Sequence, residues 1–151
     1  MKDPSDIIRE WVYNVLYKTI TYGSSYVDVY SFPPKDAAFP YILIGEQMMT
    51  GEDGTKDKFI TNHEVTIEVW TSFKGNDASY VPVNSISDSA LQLLRQRSFE
   101  THGSGGQTIA GFTGYNSITI TVNNLITDRF MMDNNIIIYK SIVLNLKLEE
   151  Q

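Results

Sequence analysis

Strict alternation of apolar and polar residues between positions 63 and 69 constrains the fold more than any other feature of this chain. The odd positions hold His63, Val65, Ile67 and Val69, and the even positions hold glutamate or threonine. A period of two places the two sets on opposite faces of a β-strand. We therefore expect a sheet with one buried face, as in antiparallel sheets that are covered by helices on one side.

Two other segments have a helical period. The first is a helix near the N-terminus that Asp3 or Ser5 can cap, with Pro4 suited to its first turn, and it is predicted to end within 18–22. Its apolar stripe consists of Ile7, Ile8, Trp11, Val12, Val15 and Leu16. The second is predicted over Val81–Arg97. Its apolar face consists of Val83, Ile86, Ala90, Leu91 and Leu94.

Four more strands complete the pattern. They are predicted over Tyr26–Tyr30, Tyr41–Met49, Ser117–Thr127 and Ile136–Leu148, the last with Ile142, Leu144, Leu146 and Leu148 facing inward. Loops or turns are predicted over Phe32–Pro40, Thr50–Lys58, Ser72–Ala78, Thr101–Gly114 and Asp133–Asn135. The order is α-β-β-β-α-β-β. We predict one α+β domain over residues 1–151, a mainly antiparallel sheet with two α-helices packed on one face.

The composition excludes several classes of protein. Without cysteine there is no disulfide framework, cysteine-ligated metal site or thiol nucleophile. Twelve basic and eighteen acidic residues give a net charge of −6, which lacks the basic footprint of a groove-binding nucleic-acid protein. No apolar run is long enough for a membrane span, and the N-terminus does not resemble a secretory signal. We expect a soluble protein with no membrane partner.

The residues that most often carry catalysis or bind metals do not form a recognised motif. His63 and His102 are the only histidines, and they lack the spacing of a metal site. The glycine-rich stretch at 103–106 follows a predicted helix and has no following lysine, so it is not a phosphate-binding loop. No Gly-x-Ser-x-Gly elbow is present. We predict no enzymatic activity, no catalytic residues, no cofactor and no metal.

Charged residues crowd the tip of the first predicted hairpin. They are Glu52, Asp53, Lys56, Asp57 and Lys58. Solvated surface charges are the simpler interpretation, and a contact between subunits is the more specific one.

Large apolar residues stand between charges just before the last predicted turn. They are Phe130, Met131 and Met132, preceded by Arg129. Loops rarely place such residues in solvent. Two interpretations are equally open: packing beneath the edge of the sheet, or an exposed apolar contact for a neighbouring subunit. The nine tyrosines and two tryptophans also favour surfaces that become buried on assembly.

The order of these segments carries a family resemblance. Its elements are the N-terminal helix, a Pro-rich loop leading into 39–46, a charged hairpin, the strand over 65–71, a helix ending in 91–94, and a strand pair around 128–129 and 142–148. The chain resembles the tail-completion proteins of tailed bacteriophages, that is, tail terminator or head–tail joining proteins of the siphovirus type. The glycine-rich loop and the long last hairpin depart from the family pattern.

The resemblance implies a structural virion protein at the head–tail interface. Such a protein forms a homo-oligomeric ring, commonly a hexamer, that caps the tail tube and joins it to portal or connector proteins of the capsid. DNA passes through the channel without specific binding, and a net negative charge is consistent with passage because it repels phosphate. The protein would be assembled in the bacterial cytoplasm and located in the virion.

Two other classes of function remain open at this point. One is a small ligand-binding domain or hydrolase with a pocket between helices and sheet and with His63 or His102 as acid or base. The other is a regulatory module that binds a partner through the hairpin and segment 130–132.

Overall fold

The computed structural model describes residues 3–55, 58–102 and 114–150. Within these ranges, it describes all side chains except those of residues 52–55, 95–102 and 116–118. Its elements are α1 (Ser5–Leu16), β1 (Thr21–Tyr22), β2 (Ser25–Tyr26), β3 (Asp28–Tyr30), β4 (Tyr41–Thr55), β5 (Lys58–Lys74), α2 (Val81–His102), β6 (Tyr115–Met132) and β7 (Asn135–Glu150). Five strands form a sheet in the order β3-β4-β5-β7-β6, and β1 and β2 form a small separate hairpin. Only β3 and β4 are parallel among these pairs, so the predicted α+β class is confirmed.

The core lies between one face of the sheet and both helices. His63, Val65, Ile67 and Val69 are all buried, which confirms the alternation that the sequence shows. The inward-facing residues of β7 pack beside them, as predicted: Ile142, Leu144, Leu146 and Leu148. Five of the six residues of the α1 stripe are buried, and Ile7 is partly buried against the same core. Burial of each large aliphatic side chain stabilises the fold by about 1.5–3 kcal/mol, and this gain fixes the phase of each element.

The strands are longer than their composition suggests. The predicted loop Thr50–Lys58 is mostly strand, because β4 continues to Thr55 and pairs with β5 from Lys58. Likewise, β6 extends through Met132, and β5 includes the start of the predicted turn Ser72–Ala78. Pairing with a neighbouring strand satisfies backbone groups whatever the side chains are, and it overrides the weak local preference for a loop.

The helix ends also differ from the prediction. Helix α1 stops at Leu16, because Tyr17 is extended and Lys18 has a φ of 50°. The hydroxyl of Thr19 donates a hydrogen bond of 2.7 Å to the Val15 carbonyl, which satisfies one free acceptor at the C-terminus of the helix. Helix α2 continues through His102, so 101–102 of the predicted glycine-rich loop are helical. Residues 103–113 of that loop lie outside the described residues.

Arg9 joins α1 to the sheet at a bulge in β4. The register between β4 and β5 shifts between Ile44 and Gln47. The guanidinium of Arg9 donates hydrogen bonds of 2.7 Å to the carbonyls of both Ile44 and Gly45, and one of 3.2 Å to the Gln47 side-chain oxygen. The Gln47 amide in turn donates to the Ser5 carbonyl at 3.1 Å. This network fixes the position of α1 over β4.

Candidate functional site

A row of aromatic side chains crosses the face of the sheet opposite the two described helices. Cross-strand register places Tyr41, Trp70 and Tyr139 side by side on β4, β5 and β7. The rings of Trp70 and Tyr139 are stacked with centroids 4.6 Å apart, and those of Tyr41 and Trp70 are stacked at 6.3 Å. Tyr30 meets Tyr41 edge-on at one end of the row, and Phe130 meets both Trp70 and Tyr139 edge-on at the other.

Polar groups fix this row without giving it a reactive centre. The Trp70 indole N–H donates a hydrogen bond of 2.9 Å to Glu68, and the Tyr139 hydroxyl donates one of 3.5 Å to Asp128. Burial, followed by the charge of the nearby carboxylate, raises the pKa of both Tyr41 and Tyr139. The phenols therefore stay protonated near neutral pH. The arrangement offers an amphipathic surface suited to contact with another protein.

Strand β6 lies at one edge of the sheet and has apolar side chains on both of its faces. From Asn124 to Met132 it pairs with β7 without a bulge, and no described strand pairs with its other side. Its exposed apolar residues are Leu125, Ile126, Phe130, Met131 and Met132. Met131 is 66% exposed, which is inconsistent with packing beneath the sheet edge. Contact of these residues with a neighbouring subunit stays a prediction.

A shallow cavity of about 310 Å³ lies beside this segment. It is lined by Arg129, Phe130, Met131 and Ile136. A second cavity, of about 120 Å³, is lined by residues that include Tyr22, Phe39 and Phe73. Neither of these cavities includes His63.

The opposite edge of the sheet also exposes aromatic residues, and the sequence analysis did not single these out. Phe32, in the loop after β3, is 90% exposed, and Tyr26, just before β3, is 58% exposed. Phe39 packs against Tyr41 with centroids 5.1 Å apart and is 38% exposed. A phenylalanine directly before two prolines was the available signal, because the prolines prevent the chain from folding back as a regular strand.

The charged hairpin residues are far from segment 129–132. The Lys58 ammonium forms an ion pair of 2.6 Å with Glu149, which fits a solvated surface charge. Glu52 and Asp53 belong to β4, but their side chains lie outside the description, as do Lys56 and Asp57 entirely. Lys58 lies at the start of β5, whereas residues 129–132 lie level with the end of β5. At about 3.3 Å per residue, the two groups are more than about 40 Å apart. The structure therefore does not bring the two predicted contact groups together.

His63 is a buried residue of the core. Its Nε2 lies 2.7 Å from the Thr61 hydroxyl, and burial lowers its pKa, with the charge of Asp3 acting weakly in the opposite direction. His102 ends α2 and its side chain is outside the description. Among the described residues, no three or more metal-ligating side chains converge. None of the described helices combines the length and hydropathy needed to span a bilayer.

Comparison with known proteins adds no family. No protein-family model matches this sequence, and no curated protein is significantly similar to it.

Proposed function

We propose that this protein is a non-enzymatic structural subunit of a phage-type virion, forming a ring at the head–tail interface. The ring caps the tail tube, joins it to portal or connector proteins, and lets DNA pass through its channel. The observation that carries the proposal is the β6 edge strand, whose apolar residues from Leu125 to Met132 are exposed on both faces. A strand of that composition is typical of the interior of a sheet.

Two further points support the proposal. The order of the main elements, a helix, three strands, a helix and two strands, agrees with the order on which the resemblance to tail-completion proteins rests. The net charge of −6 disfavours retention of DNA, because a negative channel wall repels phosphate.

The direct test is the solution mass of the purified chain. We expect light scattering over a concentration series to give a mass several-fold above 17.1 kDa, and negative-stain images to show annular particles. The same measurement is repeated with tail tube protein added, because some rings close only on their partner. A monomer under both conditions would contradict the proposal.

The charged hairpin gives a second test, of passage through the channel. We expect simultaneous replacement of Glu52, Asp53 and Asp57 by lysine to slow genome release from virions without lowering the unfolding temperature of the protein, because a basic lumen retains phosphate. The matched control changes the same number of carboxylates at Glu10, Asp77 and Asp88, all exposed, to lysine. Equal release rates for the two triple variants would show that the hairpin does not line the channel.

A further inference from the structure

The two edges of the five-stranded sheet expose apolar residues at the same height. Cross-strand register runs from Tyr30 through Leu43, Glu68 and Ser141 to Ile126. Strand β3 therefore lies level with the second half of β6, at the opposite edge. At this height the β3 edge exposes Tyr26 and Phe32, and the β6 edge exposes the residues from Leu125 to Met132.

The β6 edge lacks most of the features that keep strands from associating. Proteins protect edges with prolines, lysines, bulges or very short strands. Strand β6 contains no proline and no lysine, and both of its bulges lie before Asn124. Strand β3 is short, but Phe32 beside it is nearly fully exposed, which is the least protected position of any large apolar residue described.

The polarity of the strands allows the two edges to meet. Strand β3 is parallel to β4, and β4 and β6 run in opposite directions because β5 and β7 alternate between them. A β6 strand placed beside β3 of another copy is therefore antiparallel to it, as the rest of the sheet is. The aromatic row also reaches both edges, from Tyr30 to Phe130, and would continue from one copy to the next.

We infer that the occupant of the β6 edge is a second copy of this chain, bound head to tail through its β3 edge. The segment Leu125–Met132 of one copy packs on Asp28–Tyr30 of the next, with Tyr26 and Phe32 covering the apolar side chains. A contact between two different surfaces closes into a ring when a whole number of the rotations between successive subunits makes one full turn. The inference rests on the proposed ring function and names the surfaces that join its subunits.

Arg129 provides the charge complementarity of this contact. It follows Asp128, which lies level with Asp28. The β3 side carries the carboxylates of Asp28 and Asp36. Asp28 and Asp128 are level and lie on the same face of the sheet, so they repel across the contact, whereas Arg129 lies on the other face of β6 and is the one cation from Leu125 to Met132 that offsets this negative charge. Arg129→Glu is therefore expected to reduce the solution mass to that of one chain, and Lys140→Glu, a cation bonded to Asn84 within the chain, is the control.

Engineered disulfides test the contact directly, because the chain has no native cysteine. The test pair is Phe32→Cys with Ile126→Cys. The control pair is Met48→Cys with Ile126→Cys, since Met48 is as exposed as Ile126 (56% for both) but lies further along the β4 edge. After mild oxidation, we expect the test double variant to form a ladder of covalent multimers, and a mixture of its two single variants to form dimers.

The other results would overturn either the inferred contact or the proposed ring. Dimers from Ile126→Cys alone would indicate a symmetric β6–β6 contact, and a ladder from the control pair would indicate a shifted β6–β4 contact. A multi-chain mass without the test ladder would leave the proposed ring in place but join it through other surfaces. A test ladder with open filaments and no annular particles, with or without tail tube protein, would keep the contact and contradict the proposed ring.

Discussion

Removing the guanidinium of Arg9 tests how α1 is held on the sheet. The change is Arg9→Met, which keeps an unbranched apolar stem but deletes the donors to the carbonyls of Ile44 and Gly45. Both hydrogen bonds are 2.7 Å long and charge-assisted, and the side chain is only partly exposed. Such bonds contribute about 1.5–3 kcal/mol each when both partners are shielded from water.

Water can reach part of this site, so the loss is smaller than the full sum of the two bonds. We expect the free energy of unfolding to fall by about 2–4 kcal/mol, since the two carbonyls at the bulge regain only some of their hydration. For a chain of this length, that corresponds to a decrease in Tm of roughly 5–15 °C. Arg9→Lys keeps the charge but not the two-pronged geometry, so we expect an intermediate loss.

The assay is urea unfolding followed by tryptophan fluorescence, because Trp11 lies on α1 and Trp70 on the sheet. The protein concentration is kept where light scattering gives the mass of one chain, since association raises apparent stability. Lys35→Met is the control, an exposed loop cation whose loss is expected to change stability by less than about 0.5 kcal/mol. If Arg9→Met and Lys35→Met unfold at the same urea concentration, the bulge network does not hold α1 in place.

Three further predictions concern the sheet. Burial lowers the pKa of His63 below 6.5, so the unfolded chain binds a proton first as pH falls. The stability that this histidine contributes is complete above pH 6.5 and is lost below it. His63→Gln should make the free energy of urea unfolding less dependent on pH in this range, and equal pH dependence in the two proteins would contradict a lowered pKa of His63. Asn134 has a φ of 63°, so in thermal unfolding we expect Asn134→Val to lower the free energy of unfolding by about 1–2 kcal/mol and Asn134→Gly to leave it almost unchanged. Equal Tm values for the two variants would refute a left-handed turn. A double-mutant cycle with Trp70→Leu and Tyr139→Leu should give a coupling energy of about 0.5–1.5 kcal/mol in urea unfolding, and additivity would exclude the stack.

Buried faces were the most predictable part of the structure, because burial of apolar side chains imposes a period that is visible locally. The alternation at His63–Val69 and the stripe of α1 both face the core as the sequence indicates. The tight turn at Asp133 and Asn134 was also predictable, since both residues adopt positive φ, which asparagine and aspartate tolerate well.

Element lengths were not predictable, because they depend on partners that are distant in the sequence. Thr50–Thr55 is polar and contains two glycines, yet it is strand because β5 lies beside it. The end of α1 depends on the backbone conformation of Tyr17 and Lys18 and on hydrogen bonds from Thr19. Neither effect leaves a periodic signal that a sequence pattern could detect.

The candidate surface was predictable only in part. Phe130, Met131 and Met132 were recognisable as three large apolar residues between charges. The aromatic row was not, since Tyr41, Trp70 and Tyr139 come together only through the register of three strands. The exposure of Phe32 was signalled only indirectly, because the two prolines after it prevent a regular strand but do not determine whether the ring packs inward.

Strand β6 shows why the fold of one chain does not account for the whole sequence. In a sheet with one covered face, selection for folding alone favours apolar residues on the covered face and polar residues on the other. From Leu125 to Met132 apolar residues point to both faces, although the strand lies at the edge and gains little from burying either. That pattern costs solubility in an isolated chain. It becomes favourable when a further strand and its side chains cover the edge, and the level, antiparallel β3 edge of a second copy has the position, polarity and exposed aromatic residues to do so.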